Sequence, residues 1–494
     1  MLALIFERLI CKDYATKNLG KLNGKLVLAM VIIILVVILV VFWSGQLTKN
    51  ITSLSTQYVR EFSMPAGTAP NALLVDNRGI VWVTTYDPTN LLSLDPTSGS
   101  ITNFAVKDTS VPDMVMPHSA MAWTMVQGLD GKIWFSYLGN NYVWQLDSET
   151  DTFHAIPSKS GSAFQMKVAR DGGIWFTTLL DDTIGVVEKS IGSGYKTSSF
   201  ETGNNTTPAG LFLQNDSVWT ANIESQKISQ HKIIYENGFV RNIVPVQDIP
   251  SSNVTMFSTP TDLMVYKNFI WLTEHGTSFL ARYDIANGTL VHYPTSQNGF
   301  HTTTLPFWIR YAENPTVLWF NEHEGNKIGC FDLINETMTE YLVPSTPKDG
   351  DITYVLNISQ DPRDEKILWF SEWNTDKIGV INGHIPVPVK ITPEKNSIVL
   401  DSKKTDDTFN LKISSDTHPA STVFLNASSS ITPTAELGKL DVKFSHGIVD
   451  LSHDSQVLVS VHNGGVLPGN YTLGISASDG YAIKTVFLNL MISK

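Results

Sequence analysis

Cysteine is nearly absent. The 494-residue chain has two, Cys11 and Cys330, which excludes a disulfide-dense scaffold and a cysteine-rich zinc module. Positive charge is scarce as well. Thirty-five Lys and Arg stand against 47 Asp and Glu, a net charge of −12, and this argues against nucleic acid, whose phosphates need clustered cations. No Gly-x-Ser-x-Gly elbow, phosphate loop, His-Glu-x-x-His helix or EF-hand loop occurs. What the chain does have is apolar and aromatic. It is 42% hydrophobic and 10% Phe, Trp and Tyr, which excludes a disordered protein and suits two to three domains.

Residues 26–43 read LVLAMVIIILVVILVVFW, with no charge, Gly or Pro. A helix of that length satisfies its own backbone while crossing a bilayer of roughly 30 Å. The run is longer than a signal-peptide core, and no small-x-small cleavage site follows it. Residues 1–25 carry Arg8, Lys12, Lys17, Lys21 and Lys25 against Glu7 and Asp13, so the N-terminus is expected in the cytoplasm and the rest outside. Sequons at Asn50, Asn204, Asn205, Asn215, Asn253, Asn287, Asn335, Asn357, Asn426 and Asn470 all follow this segment, as outward-facing glycan acceptors would. The expected organisation is a basic tail (1–25), a single membrane-spanning helix (26–43), a linker (44–56), a propeller (57–387) and an immunoglobulin-like β-sandwich (388–494).

The propeller reading rests on a repeat. An apolar residue, a Trp and an alternating run recur at Trp82, Trp134, Trp175, Trp219, Trp271, Trp319 and Trp369. Turn residues such as DNRG and GLDGK precede most copies, and short hydrophobic runs such as DTIGVVE and NKIGCFD follow. Each unit reads as four short strands, and four strands per period near 45 residues describe a propeller blade. The chain is therefore expected to be all-β, with seven blades. YVREFSMP (58–65) resembles the outermost strand seen elsewhere as MTEYLVP, and no good copy of that strand follows the seventh unit. The N-terminal strand is thus expected to complete the last blade and hide two sheet edges. After the spacer PVPVK, strands with turns every 8–12 residues suggest the sandwich.

The sequence WFNEHEGNKIGCFDLINETMTEYLVP from Trp319, with WFSEWNTDKIGVI from Trp369 and WFTTLLDDTIGVV from Trp175, resembles the streptogramin (virginiamycin B) lyase family of seven-bladed propellers over roughly residues 57–387. The resemblance implies a metal-assisted, usually Mg²⁺-dependent, lyase that opens a cyclic depsipeptide by elimination. It also implies a catalytic His at the start of an innermost strand, with Glu residues near the same mouth. The matching positions here are Asn71, Trp123, Phe164, Ala209, Thr261, Phe307 and Tyr354, and none is His.

Three residues after each marker Trp stand Thr85, Tyr137, Thr178, Asn222, Glu274, Glu322 and Glu372. A closed ring would set Glu274, Glu322 and Glu372 on neighbouring blades at one mouth, with His275, His323 and Glu324 as the catalytic candidates. The three acids either hold a hard divalent cation, Mg²⁺ or Ca²⁺, or act as caps bonded to a neighbouring blade. Trp123, Phe164, Phe307, Trp308, Tyr354 and Trp373 would line the mouth or fill the hole, and Asp262 would join the acids or cap a turn. The leading expectation is a membrane-anchored surface protein binding a small ligand or a cell-surface protein at that mouth, without nucleic acid. The alternative is a metal-dependent lyase or hydrolase.

Overall fold

The structure is a computed structural model that describes residues 55–111, 116–190, 192, 194–252, 254–297, 301, 303–347, 352–431 and 438–494. The expected tail and membrane helix (1–43) lie outside them. Among the described residues no helix is long and apolar enough to cross a membrane, and every strand belongs to an antiparallel or mixed sheet.

Seven four-stranded antiparallel units follow one another from Pro70 to Asn382. The second strand of each carries the marker Trp, and in Val81–Thr85, Ile133–Tyr137 and Ile174–Thr178 every residue is buried. Such a strand is covered on both faces by neighbouring blades, so it reads as an unbroken apolar run instead of alternating. All seven marker tryptophans are buried. Trp271, for example, lies 5.0 Å from Phe331 of the next blade. Each innermost strand contacts the next, and Pro70–Val75 contacts Val355–Asp361, so the ring is closed. The closing blade is completed by Val59–Ser63, paired with Lys377–Asn382 from Val59↔Ile381 to Ser63↔Lys377. The N-terminal strand thus closes the ring as its sequence suggests.

The repeated motif is explained residue by residue. In three blades the Phe after the Trp lies opposite a Gly on the third strand: Phe176↔Gly185, Phe320↔Gly329 and Phe370↔Gly379. A Cβ on any of these glycines would sit 2.1 Å from the ring, so the ring fits only over glycine. The Asn or Asp before the third strand takes a left-handed conformation (φ 52–55° at Asp182, Asn326 and Asp376). Its side chain caps the loop entering the next blade. Asp376 accepts the Gly67 and Ala69 N–H groups at 2.7 and 2.9 Å, and Asp182 accepts those of Asn205 and Thr207 at 2.8 and 2.7 Å.

Beyond residue 388 two further sheets enclose one apolar core. Asp406–Ser414 alternates strictly, with Phe409, Leu411 and Ile413 inward; Leu473, Ile475, Leu488 and Leu490 meet them from the other sheet. This module is not a free appendage. Its last strand, Ala482–Ile492, pairs with the outer strand of the sixth blade, Thr337–Leu342, in the register Tyr341↔Ala482 to Thr337↔Val486. It thereby covers an edge that would otherwise offer unpaired N–H and C=O groups. PVPVK, expected as a spacer, instead packs: Val387 contacts both cores and Val389 is buried in the C-terminal one.

Candidate functional site

The strand starts and the ends of the second strands gather at one mouth of the ring. The aromatic residues expected there do meet. Trp123 lies 5.2 Å from Phe164 and 5.9 Å from Phe307, and Phe164 lies 6.1 Å from Phe307, so side chains from blades 2, 3 and 6 touch across the axis. Trp308 stands 5.3 Å from Phe164. It is fully buried, with its indole N–H donated to the Leu356 carbonyl at 3.0 Å, and belongs to the filling rather than the surface. Phe164 and Phe307 form a buried floor, and Trp123 is half-buried above it.

His275 and His323 are also brought together, at 5.2 Å. The His323 ring stacks on Phe307 at 4.1 Å. Burial, reinforced by His275, pushes His323 down to about 3, and burial lowers His275 as well. Both imidazoles are neutral near pH 7. Glu324 faces outward from this pair, with Oε2 3.2 Å from Nδ1 of His301. His301 sits in the loop before the sixth blade, and no repeat position marks it in the sequence.

The seven strand-start positions need one correction. Register pairs Val355 with Glu372, as Pro306 pairs with Glu322 and Pro260 with Glu274. The residue matching Phe307 and Thr261 is therefore Leu356, not Tyr354. The one-residue bulge between Val355 and Ile358 recurs in other blades, but the seventh has a further register shift between Gln360 and Asp361, which changes the spacing to the marker Trp and hides this in the sequence. Neither residue is His. Tyr354 and Trp373 are half-buried on the seventh blade, joined through Trp373 N–H to Tyr354 O at 3.0 Å, and Trp373 meets Tyr86 of the first blade at 6.2 Å.

The three glutamates are all buried, and each is engaged beside its own blade. Glu274 Oε2 lies 3.2 Å from His292 Nε2, and Oε1 accepts the Ser258 N–H at 3.2 Å. Glu322 Oε2 lies 3.2 Å from Lys327 Nζ, off the hydrogen-bonding direction. Lys327 in turn pairs with Glu340, which accepts the Ser296 N–H at 3.0 Å. The seventh blade repeats this set. Lys377, opposite Glu372, sits 2.8 Å from Glu61, and Glu61 accepts the Ser345 N–H and hydroxyl at 2.9 and 2.7 Å. Glu372 itself accepts the Thr375 hydroxyl at 2.7 Å. Burial pushes Glu322 up to about 8 despite Lys327, and burial, with Glu61 adding repulsion, pushes Glu372 up to about 8. Among the described residues no group of three or more His, Cys, Asp and Glu is placed to hold a metal ion. The donor set expected for Mg²⁺ or Ca²⁺ therefore does not fit a shared cation, because each acid is held by its own strand partners.

Asp262 is likewise a staple. It is buried, its Oδ2 accepts the Ile309 N–H of the next blade at 2.8 Å, and Arg310 stands 3.6 Å away. Such staples recur at a position missed in the sequence, two after the marker Trp. Thr177 donates to Ala209 O at 2.8 Å, Asn321 to Val355 O at 2.7 Å and Ser371 to Asn71 O at 2.7 Å. Six of the seven copies carry a hydroxyl or amide there, which was the available signal.

The family model for the virginiamycin B lyase family matches residues 110–398, more than half of the chain. Among solved structures, a streptogramin B lyase aligns at 22% identity and TM-score 0.50, covering 66% of this chain and 97% of that one. The selenomethionine-substituted virginiamycin B lyase from Staphylococcus aureus aligns at 20% identity and TM-score 0.49, covering 66% and 98%. No curated protein matches the chain. By its family model this chain belongs to the virginiamycin B lyase family.

Proposed function

We propose that this protein is a binding propeller, held outside the cell by residues 26–43, whose mouth takes an apolar, ring-bearing ligand of the cyclic depsipeptide kind without opening it. The observation that carries this reading is the stack of half-buried Trp123 on Phe164 and Phe307. Such a surface gives large contact area with little side-chain freedom to lose. The same floor argues against family chemistry, because no innermost strand begins with an imidazole and desolvation lowers the pKa of both histidines nearby, buried His323 and half-buried His275. The C-terminal module is read as immunoglobulin-like, serving contacts with other surface proteins.

A second reading has one observation in its favour. The His301–Glu324 pair at 3.2 Å is an acid–base pair at the same mouth, as a lyase or hydrolase would use. Titration with virginiamycin B separates the two. Binding is read from tryptophan fluorescence and turnover from chromatography, since elimination across the ester yields a ring-opened isomer of unchanged mass. Binding without a new peak supports the binding propeller. A ring-opened product that disappears in Glu324→Gln establishes the enzyme.

A further inference from the structure

On the face opposite the mouth, the turns between first and second strands form a cavity of about 240 Å³ centred on the third blade. Its wall includes Gly128 and Trp134 from the second blade, Glu188 and Tyr195 from the third, and Phe239 from the fourth. We infer that this cavity binds a neutral sugar residue, through the Glu188 carboxylate, the Trp134 indole N–H and the aromatic wall they share.

Two buried polar atoms carry the inference. Glu188 is 7% exposed; its Oε1 accepts the Val240 N–H at 2.9 Å, while its Oε2 has no partner. Trp134 is 2% exposed and its Nε1 has no partner. A buried carboxylate oxygen left unbonded is costly, and so is a buried N–H; the marker indoles of Trp175 and Trp219 are unpaired as well, so the carboxylate carries more of the argument. Burial raises the acid's pKa.

The first blade shows what is absent here. There Asp76 Oδ2 accepts the Trp82 indole N–H at 3.1 Å. The register of the second blade puts Gly128 at the position of Asp76. A Cβ on Gly128 would lie 2.8 Å from the Trp134 indole nitrogen and from Asp130 Oδ1, so no side chain at that position pairs the N–H as Asp76 pairs that of Trp82.

The ligand class follows from the donor set. Glu188 needs a donor and Trp134 an acceptor, and a ligand bearing hydroxyls supplies both, whereas an ammonium supplies only the donor. The wall also carries Asp130, Asp171 and Lys189, and Lys196 lies 5.3 Å over the Phe239 ring, so an ammonium is the competing ligand that the test must include. Tyr195, edge-on to Trp134 at 5.1 Å, and Phe239 offer apolar faces for the C–H face of a sugar ring.

The test uses the full chain in a sugar-free detergent, with glucose, galactose, mannose and N-acetylglucosamine at roughly 10 mM, tenfold above a Kd of about 1 mM, and n-propylammonium as the cationic control. Saturation-transfer NMR reads contact and calorimetry reads affinity. The expected result is binding of at least one sugar, weakened about tenfold or more in Glu188→Gln and in Trp134→Phe, as loss of a hydrogen bond to a charged or buried group implies. Unfolding temperature should stay unchanged in Glu188→Gln and fall modestly in Trp134→Phe, where a smaller ring leaves a void in the blade core, and Trp123→Ala should leave sugar binding intact. No sugar binding, binding of the ammonium alone, or sugar binding that survives both variants would overturn the assignment.

Discussion

Glu61 and Lys377 stand 2.8 Å apart across 316 residues of sequence. Their pair ties the first strand of the ring to the last blade, and Glu61 is buried where it does so. The family motif's Glu–Lys–Glu order is thus completed in the seventh blade by an acid from the other end of the domain.

Removing the lysine leaves Glu61 and Glu372 buried and facing each other without a cation. Lys377→Met is expected to cost about 3–5 kcal/mol, the range for breaking a buried pair on one side. Adding Glu372→Gln should recover part of it. Chemical denaturation of the wild type and the two variants checks this, and an unchanged midpoint in the single variant would contradict the network.

The two raised acids set a pH dependence. Glu322 and Glu372 titrate near 8 in the fold against an ordinary 4.5, so between those values the folded chain holds more protons than the unfolded one. Their contribution to stability is complete below pH 4.5 and is lost as pH rises through 8. Unfolding free energy should therefore fall across that window, and a Glu322→Gln, Glu372→Gln double variant should flatten the fall. A steeper decline in the double variant would reverse the assignment.

The Phe–Gly pairs predict coupling. Gly329→Ala should destabilise by about 1–3 kcal/mol, the cost of overpacking a filled core, since its Cβ meets the Phe320 ring at 2.1 Å. Combining it with Phe320→Leu should cost less than the sum of the two single changes. Additive effects would mean the ring and the glycine do not share that space.

Residues 26–43 are expected to anchor the chain. A full chain expressed in cells should resist carbonate extraction and be digested by external protease, while a chain beginning at residue 53 should be soluble. Glycan attachment, where it occurs, should spare Asn357. That residue is 1% exposed and its amide donates to Trp123 O at 2.7 Å, so this sequon is sealed in the folded ring.

The ring itself was legible because its signals are local and repeated: seven buried tryptophans in largely buried strands, and a displaced copy of the outer strand at 58–65. The roles of Glu274, Glu322 and Glu372 were not. Proximity to one mouth was readable, but the partners that claim each acid lie on strands whose register only the folded sheet sets: His292, Lys327 with Glu340, and Lys377 with Glu61. A second register shift in the seventh blade, between Gln360 and Asp361, moved the expected axial residue from Leu356 to Tyr354 for the same reason. The pairing of Ala482–Ile492 with the sixth blade joins segments about 140 residues apart that share no repeat, and nothing local announces it.

The most direct measurement is calorimetric titration of virginiamycin B into the wild type and Trp123→Ala, with chromatography of the same samples. The account predicts binding by the wild type, at least about tenfold weaker binding in the variant, in keeping with loss of a central aromatic anchor, and a single unopened ligand peak. A ring-opened product, or affinity unchanged by loss of the indole, would contradict it.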